Sequence, residues 1–279
     1  MSELSGKVAL VTGAGSRRGF GRAIAVRLSK DGADIVVVDK DSASFSNSGL
    51  PEDWKGINSV VNEVTALGRR GFGVICDISR SDDVGMMVEK ILDKFGQIDI
   101  LVNNAGVHIL GSIQSITDEV WHKNLSVNLT GTFFCSRTVA REMIKRNKGG
   151  KIINIASLSG KRGKAGDMAY CASKFGVIGL TQSMALELAS YGINVNAICP
   201  TIADTDIGND LFKSLAKKDG ITSEEVRNNI LNKRIASIPL RRLTAVEDVA
   251  NVTAFLASKE TDFITGQAIN VCGGSLVAH

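Results

Sequence analysis

A tyrosine and a lysine four residues apart are the side chains of this sequence best suited to acid/base chemistry. Tyr170 and Lys174 lie in the run 170–174 (YCASK), and this spacing places two side chains on one face of a helix. Free tyrosine ionises near pH ~10, so a phenol that exchanges protons near neutrality needs a cation beside it. We expect Lys174 to supply that cation and to depress the pKa of Tyr170. The alternative is a tyrosine ring packed under a lysine stem.

A serine upstream of this pair adds a third polar group. Ser157 closes the apolar run 151–156 (KIINIA), which predicts a buried strand. Open α/β sheets bind ligands outside the carboxyl ends of their strands. We therefore expect Ser157, Tyr170 and Lys174 to converge on one carbonyl or alcohol oxygen.

A glycine-rich segment near the start of the sequence has the composition of a phosphate-binding turn. A predicted strand runs into residues 12–23 (TGAGSRRGFGRA), and a helical pattern follows. Glycines allow a tight turn and let backbone N–H groups approach a pyrophosphate, whose charge the N-terminus of the next helix favours. Asp39 ends the following predicted strand, where a carboxylate accepts hydrogen bonds from an adenosine ribose and repels a 2′-phosphate. These features predict a dinucleotide site that prefers NAD, and a cap or turn role for Asp39 is the alternative.

The elements that must position these residues follow a regular alternation of short apolar runs and longer helical patterns, as in stacked βαβ units. The apolar runs are continuous, as expected for parallel strands covered by helices on both faces. We predict one α/β domain, residues 1–279, with a Rossmann-type doubly wound parallel sheet of about seven strands. The predicted strands lie near 7–12, 34–39, 71–76, 98–103, 150–157, 193–199 and 268–272, and the predicted helices near 19–31, 56–68, 81–95, 117–146, 168–190 and 246–258.

Two segments interrupt this alternation. Residues 40–56 (KDSASFSNSGLPEDWKG) are polar and rich in serine, which indicates a loop inserted between the second strand and its helix. Residues 201–243 are long, charged and partly helical in pattern. Excursions at the carboxyl edge of a parallel sheet commonly form lids and substrate pockets. We expect residues 201–243 to form a substrate lid, with a plain surface insertion as the alternative.

Composition argues against several classes of function. The net charge of +4 comes without a dense basic run or interleaved aromatics, so we expect no nucleic-acid partner. The five cysteines form no Cys-x-x-Cys pair and the three histidines lack metal-ligand spacing, so we expect no metal. No apolar stretch approaches the ~20 residues of a membrane span, and the first apolar run is too short for a signal peptide. We therefore expect a soluble, cytoplasmic protein without a membrane partner.

These motifs resemble the classical short-chain dehydrogenase/reductase family over essentially the whole chain. The resemblance rests on several independent motifs in the family's order and spacing. They are the glycine-rich turn at 12–21, Asp77 after the third predicted strand, the run 103–106 (NNAG) after the fourth, Asn128 in the run 126–129 (SVNL), Ser157, Tyr170, Lys174 and the segment 200–205 (PTIADT). The resemblance implies a Rossmann fold and an NAD(P)-dependent oxidoreductase.

The resemblance also implies a role for each residue of a catalytic set. Tyr170 is implied to be the general acid/base, with Lys174 lowering its pKa and holding the nicotinamide ribose. Ser157 is implied to orient the substrate oxygen, and Asn128 to hold a water of the proton relay. The physical interpretation agrees, since the cofactor carries out hydride transfer and the protein supplies proton transfer, orientation and electrostatics.

Cofactor and substrate positions are implied in the same way. Asp77 is expected to meet the adenine, Asn103 the adenosine side and Thr205 the nicotinamide carboxamide. The implied cofactor-binding residues are Gly13, Gly15, Arg18, Gly19, Phe20, Gly21, Asp39, Asp77, Ile78, Asn104, Ala105, Gly106, Tyr170, Lys174, Pro200, Ala203 and Thr205. The implied substrate residues are His108, Ser157, Ser159, Lys164 and Thr201.

The glycine-rich turn departs from the family pattern because it is longer by two residues. Gly13 is followed by five residues before Gly19, so the turn must bulge to keep both ends in place. Arg17 and Arg18 lie in that bulge, where an arginine could pair with a 2′-phosphate. NADP is therefore the alternative cofactor to NAD.

Residues 161–164 (KRGK) place three cations between Ser157 and Tyr170. A substrate with a carboxylate, phosphate or sulfonate would gain from such charges. The alternative is a solvated loop whose charges face water or a neighbouring subunit. His108 is likewise either a substrate contact or a polar loop residue.

Three functional hypotheses follow. The leading one is an NAD(H)-dependent oxidoreductase that interconverts a secondary alcohol and a ketone on a polyol, a sugar or a hydroxy acid. The second is a 3-oxoacyl-(acyl-carrier-protein) or thioester reductase that uses NADPH, and the third is a non-catalytic NAD(H)-sensing protein. The resemblance implies a homotetramer, with a dimer as the alternative, and Gly176 and Gly179 would allow close approach between helices.

Overall fold

The computed structural model describes residues 3–41, 54–203, 205, 222, 224, 232–233 and 235–277. The strands are β1 Val8–Thr12, β2 Asp34–Asp39, β3 Gly71–Ile75, β4 Ile100–Asn103, β5 Gly150–Ile155, β6 Ile193–Pro200 and β7 Ala268–Val271. The α-helices that lie wholly within continuous described segments are α1 Phe20–Lys30, α2 Ile57–Ala66, α3 Ser81–Phe95, α4 Asp118–Leu125, α5 Thr132–Arg146, α6 Met168–Leu188 and α7 Val246–Ala257.

The strands form one parallel sheet of seven in the order β3-β2-β1-β4-β5-β6-β7. The direction of winding reverses between β1 and β4. Doubly wound sheets bind ligands at this switch point, outside the carboxyl ends of the strands. The predicted fold, a Rossmann-type parallel sheet of about seven strands, is confirmed.

Alternate residues of the central strands pack against opposite helical layers, which explains why their apolar runs are continuous. One layer joins Ala9, Val11, Ile35 and Val37 of the sheet to Ile24 and Leu28 of α1 and Val249 of α7. The other joins Val8, Leu10, Val36 and Val38 to Met87 and Ile91 of α3 and Met143 of α5. The sheet is thus buried on both faces and leaves its carboxyl edge as the place for a site.

The helix predicted over 117–146 is interrupted, which corrects the prediction from sequence. After α4 the chain makes a π-helical turn, Ser126–Gly131, before α5 begins. The hydroxyl of Thr132 donates to the carbonyl oxygen of Asn128 at 2.8 Å. That bond gives this carbonyl a partner where the regular α-helical ladder is broken. Hydrophobic spacing could not reveal the turn, because α4 and α5 continue the same helical pattern on either side.

The two predicted interruptions are described in part. Within the inserted loop at 40–56, residues 42–53 lie outside the described residues. The excursion at 201–243 is described at both ends and at a few positions between, and Ala203 forms an isolated parallel bridge with Thr244. The lid function of this excursion stays a prediction.

Two of the expected absences concern membranes and metals. Among the residues that the structure describes, no helix is long and apolar enough to cross a membrane. The same residues contain no group of three or more His, Cys, Asp or Glu side chains arranged to hold a metal ion. The cytoplasmic location stays a prediction.

Candidate active site

A cavity of about 1420 Å³ lies along the carboxyl edge of the sheet. Pockets for one small ligand usually measure ~300–1,000 Å³, so this cavity is large enough for a dinucleotide and a second ligand. Most predicted site residues line it: Gly13, Gly19, Phe20, Asp39, Asp77, Ile78, Asn104, Ala105, Gly106, His108, Ser157, Ser159, Lys164, Tyr170, Lys174, Pro200, Thr201, Ala203 and Thr205. Four predicted residues do not line it, namely Gly15, Arg18, Gly21 and Asn128.

Ser157 and Tyr170 reach the cavity from two different elements. Ser157 follows β5 in an extended conformation, and its Oγ accepts a hydrogen bond from the backbone N–H of Ser159 at 3.1 Å. Tyr170 lies in the first turn of α6, and its phenol hydrogen-bonds with the hydroxyl of Ser157. The structure therefore brings the two hydroxyls together at one point of the cavity wall.

Lys174 lies one helical turn beyond the tyrosine and is 5% exposed. Its Nζ donates to the carbonyl oxygen of Ile155 at 2.8 Å and lies 5.8 Å from the centroid of the Tyr170 ring. Burial lowers the pKa of Lys174 to about 8, although Cys199 opposes this shift. The ammonium group is held at the end of β5, beside the phenol.

The pKa of Tyr170 moves in the direction opposite to the prediction. Burial raises it to about 12, while the hydrogen bond to Ser157 acts to lower it. The prediction of a depressed Tyr170 pKa is therefore wrong for the protein without a cofactor. The Lys174 ammonium donates to Ile155, and its charge does not outweigh the desolvation of a phenolate. The phenol is therefore in its proton-donating form at neutral pH.

Asn128 is buried and holds the loop that follows β4. Its Oδ1 accepts from the N–H of Val107 at 2.8 Å, and its Nδ2 donates to the carbonyl oxygen of Val107 at 2.9 Å and to Ser173 Oγ at 3.0 Å. Ser173 donates in turn to the carbonyl oxygen of Tyr170 at 2.7 Å. Asn128 thus connects the π-helical turn to the helix that carries Tyr170. Its water-holding role stays a prediction.

The glycine-rich turn packs directly against the loop after β4. A Cβ on Gly13 would lie 2.5 Å from the Cα of Ala105, and a Cβ on Gly21 would lie 2.4 Å from the carbonyl oxygen of Gly13. Asn104 Nδ2 donates to the carbonyl oxygens of Thr12 and Gly13, both at 2.8 Å. The close backbone approach excludes any side chain at either glycine. It fixes the turn beside the N-terminus of α1, where the first N–H groups of a helix have no partner within the helix and suit a pyrophosphate.

Carboxylates form the wall of the cavity at the tips of β2 and β3. Asp39 Oδ2 accepts from the N–H of Gly15 at 2.9 Å, and Asp39 Oδ1 from the N–H of Lys40 at 2.8 Å. Lys40 Nζ pairs with Asp77 Oδ2 at 3.0 Å. Burial acts to raise the pKa of Asp77, but hydrogen bonds from Ser79 and Lys40 outweigh it and lower this pKa to about 2. Asp77 is therefore ionised at neutral pH.

The two arginines of the lengthened turn are exposed, and neither Arg17 nor Arg18 lines the cavity. Two residues that sequence reasoning did not identify hold the bulge. Arg22 donates to the carbonyl oxygen of Arg17 at 3.1 Å and lies over the ring of Trp54, 5.5 Å from its centroid. Trp54 Nε1 donates to the carbonyl oxygen of Gly15 at 3.0 Å. The one sequence feature that could have indicated this contact is a tryptophan near the end of the polar insertion at 40–56.

His108, Asp167 and Lys164 form a polar cluster against Tyr170. The rings of His108 and Tyr170 stack with centroids 4.1 Å apart and planes at 28°. His108 Nε2 lies 3.0 Å from Asp167 Oδ1, and Lys164 Nζ pairs with Asp167 Oδ2. Burial acts to raise the pKa of Asp167, but hydrogen bonds from His108 and Lys164 hold it below its ordinary value. Asp167 escaped sequence reasoning because its partner His108 is 59 residues away.

The other two cations of residues 161–164 contact backbone carbonyls. Lys161 Nζ donates to the oxygen of Ala268 at 2.6 Å, and Arg162 donates to the oxygen of Ser275 at 3.4 Å. With Lys164 paired to Asp167, each of the three cations has a partner within the chain. An anion-binding function for them stays a prediction.

Asn103 lies in the interior and not at the adenosine side, where the resemblance had placed it. It is 4% exposed, and its Nδ2 donates to Ser136 Oγ and to Asn154 Oδ1, both at 2.8 Å. Asn154 Nδ2 donates in turn to Thr181 Oγ1 at 2.9 Å. Its side chain serves the packing beneath the cavity, whereas its neighbour Asn104 lines the cavity.

A family model described as short chain dehydrogenase matches residues 7–216. Among curated proteins, a short-chain dehydrogenase/reductase of Armillaria gallica is 40% identical over 96% of this chain and 95% of its own. A galactitol 2-dehydrogenase of Agrobacterium fabrum is 36% identical, with 98% of each chain covered. A 3-oxoacyl-(acyl-carrier-protein) reductase of Staphylococcus epidermidis is also 36% identical, over 96% of this chain and 98% of that protein.

Solved structures show the same fold with either nicotinamide cofactor. A xylitol dehydrogenase with NAD⁺ bound has a TM-score of 0.84 and 30% identity, over 97% of this chain and 99% of that chain. A variant actinorhodin polyketide ketoreductase with NADPH has a TM-score of 0.85 and 33% identity, over 96% and 97%. The fold therefore does not distinguish NAD from NADP, and the preference must depend on the residues around the adenosine ribose.

Proposed function

This chain belongs to the short-chain dehydrogenase/reductase family of oxidoreductases, and from that premise we propose that it is an NAD-dependent dehydrogenase interconverting a secondary alcohol and a ketone. The observation that carries the proposal is the meeting of the Ser157 and Tyr170 hydroxyls at the cavity wall, with the buried amine of Lys174 behind them. One proton carrier, one orienting hydroxyl and one cation are what the reaction demands of a protein.

In the proposed mechanism Tyr170 moves the proton. Its phenol donates to the ketone oxygen during reduction, and its phenolate accepts the alcohol proton during oxidation. Ser157 holds the same oxygen by a hydrogen bond and so fixes it beside the phenol. A bound nicotinamide supplies or accepts the hydride. The raised pKa of Tyr170, about 12, favours the donor role, and oxidation therefore gains from alkaline pH.

We assign the cofactor end to the glycine-rich turn and the acidic wall. The N–H groups at the start of α1 suit a pyrophosphate, and Asp39 at the tip of β2 suits the hydroxyls of an adenosine ribose. A 2′-phosphate here would meet two carboxylates, Asp39 at the end of β2 and Asp77 just after β3, while Lys40 is already paired with Asp77. This arrangement favours NAD over NADP.

Turnover is the direct test of the proposal. The purified protein is assayed for NADH formation from NAD⁺ with polyols, sugars and hydroxy acids, and Tyr170→Phe serves as the inactive control. We expect oxidation of at least one secondary alcohol, faster with NAD⁺ than with NADP⁺. NADH binding without turnover of any alcohol or ketone would favour the third hypothesis, a nucleotide sensor.

A 3-oxoacyl thioester reductase remains the second candidate because one curated relative of that activity is as similar to this chain as the galactitol 2-dehydrogenase is. Asp39 argues against it, since this candidate uses NADPH. Acetoacetyl-CoA with NADPH is the discriminating assay. A higher kcat/KM for that pair than for any alcohol with NAD⁺ would establish this candidate.

We also propose a homotetramer. At Gly176 a Cβ would lie 2.7 Å from Leu129 of the same chain, so this glycine allows close packing within the subunit. Gly179 has no atom within 4 Å of its Cβ position, and Phe175 and Leu186 on the same helix are 46% and 85% exposed. Sedimentation should give a tetramer for the wild type and smaller species for Gly179→Leu. A monomer alone at micromolar protein would refute the proposal.

A further inference from the structure

His108 has one ring nitrogen bonded to the protein and one without a hydrogen bond to any described residue. Nε2 lies 3.0 Å from Oδ1 of Asp167, a carboxyl that is 1% exposed. His108 and Lys164 hold the pKa of Asp167 below its ordinary value, so this carboxylate can only accept hydrogen bonds. Nε2 must therefore carry a proton. In a neutral imidazole the remaining nitrogen, Nδ1, is then a hydrogen-bond acceptor.

This imidazole borders the space next to the reacting carbon. Its ring stacks on Tyr170 with centroids 4.1 Å apart, it lines the same cavity as Ser157, and its side chain is 19% exposed. Stacking on one side and the bond to Asp167 on the other leave the ring little freedom. His108 thus lies on the same part of the cavity wall as the ring that bears the phenol, within the space open to the carbons next to the reacting one.

The cluster around this imidazole has little net charge. The carboxylate of Asp167 and the ammonium of Lys164 are paired, so their charges compensate each other. This cluster therefore offers a hydrogen bond to the substrate and adds little attraction for a carboxylate or a phosphate.

We propose that His108 Nδ1 accepts a hydrogen bond from a hydroxyl on the carbon adjacent to the reacting one, so that the substrates of this enzyme are neutral vicinal diols and polyols. This inference rests on the proposed function. A hydrogen-bond acceptor at this place distinguishes between classes of substrate. A vicinal hydroxyl can donate to it, whereas a thioester carbonyl or a carboxylate has only lone pairs and cannot donate. Asp167 is a positioning residue, because it fixes the tautomer without touching the substrate.

The test compares 2,3-butanediol with 2-butanol, which lacks the neighbouring hydroxyl. Initial rates with NAD⁺ are measured at one fixed pH for both alcohols. For the wild type we expect kcat/KM about 10-fold higher for the diol, the value of one net hydrogen bond. His108→Phe keeps a ring against Tyr170 but removes both nitrogens, so the ratio of kcat/KM for the diol over that for 2-butanol should fall toward one.

Two further variants complete the design. Asp167→Asn replaces the carboxylate that fixes the ring proton on Nε2 by an amide that can either accept from Nε2 or donate to it, so the tautomer is no longer fixed and the preference for the diol should be reduced. His122→Phe changes an exposed histidine on α4 and should leave the ratio unchanged. Unaltered NADH affinity shows that each variant is folded.

The outcomes separate the inference from the proposed function. Equal kcat/KM for the two alcohols in the wild type, or an undiminished diol preference in both His108→Phe and Asp167→Asn, would overturn the role of His108 while leaving the dehydrogenase intact. Failure of the wild type to oxidise any secondary alcohol with NAD⁺ would instead overturn the proposed function, and the inference with it.

Discussion

The two ends of the cavity differ in which atoms shape them. At the nucleotide end the backbone itself shapes the site, with Gly13 and Gly21 in direct contact with neighbouring main chain. At the substrate end side chains do so, and several of them bear ionisable groups: Tyr170, Lys174, His108 and Asp167. The first kind of site is intolerant of added volume, and the second is intolerant of lost functional groups. Mutations at each end should therefore fail in different ways.

Removal of the phenol hydroxyl should give the largest effect of any single change. Tyr170→Phe keeps the ring and its stacking on His108 but deletes the proposed proton carrier. We expect kcat to fall by roughly 10²–10⁴-fold, the usual contribution of general acid–base catalysis. The measurement is steady-state turnover, with NADH affinity as the control that should not change. Near wild-type turnover in a folded, NADH-binding variant would show that the substrate end is structural.

Cofactor choice tests the acidic wall at the nucleotide end. Like charges brought together at a binding site cost several kcal/mol, so Asp39→Ala should lower the ratio of kcat/KM for NAD⁺ over NADP⁺ by about 10- to 100-fold. Arg18→Ala, in the exposed bulge, should leave that ratio nearly unchanged. A wild-type preference for NADP⁺ that is lost in Arg18→Ala would reverse the assignment.

A glycine-to-alanine substitution at each end of the cavity compares their tolerance of added volume. Gly21→Ala places a Cβ 2.4 Å from a carbonyl oxygen, whereas Gly163→Ala, between the substrate-end cations, meets no atom within 4 Å. Overpacking typically costs ~1–3 kcal/mol, so Gly21→Ala should lose that much unfolding free energy in urea and weaken NADH binding. For Gly163→Ala we expect a change within about 0.5 kcal/mol. Equal losses at both sites would remove the distinction between the two ends.

Acid titration should give the smallest effect. The pKa of Asp77 falls from 3.8 to about 2 on folding, so the folded state binds its proton less readily than the unfolded state. The stabilisation is present above pH 3.8 and is lost as the pH falls through about 2. Asp77→Asn should therefore cost on the order of 1–2 kcal/mol at neutral pH. The difference in unfolding free energy between wild type and variant, measured by urea denaturation, should shrink in acid.

Sequence spacing anticipated the elements and the residues that repeat a local pattern. Tyr170 and Lys174 share a helix, and Ser157 ends a strand, so their neighbourhood follows from periodicity and parallel-sheet topology. The close packing of Gly13 and Gly21 follows from the same logic, because a tight strand-to-helix turn needs residues without side chains.

What the sequence did not anticipate depends on distant partners. The pairing of His108 with Asp167, the contact of Trp54 with Gly15 and the interior position of Asn103 all join segments far apart in the chain. The direction of the Tyr170 pKa shift was missed for a related reason. Desolvation depends on everything that surrounds the ring, whereas the pattern showed only one neighbouring cation.

The buried amides beneath the cavity have a consequence for folding. Asn103 and Asn154 stand opposite each other in the register of β4 and β5 and share a hydrogen bond. Purely aliphatic strands covered on both faces could slide past one another with little penalty, because each apolar side chain is replaced by another of similar size. A slip of one residue would leave these two amides facing hydrocarbon without partners, at ~1–3 kcal/mol each. The Asn103–Asn154 hydrogen bond therefore favours the register of β4 and β5 in which Ser157 can reach Tyr170.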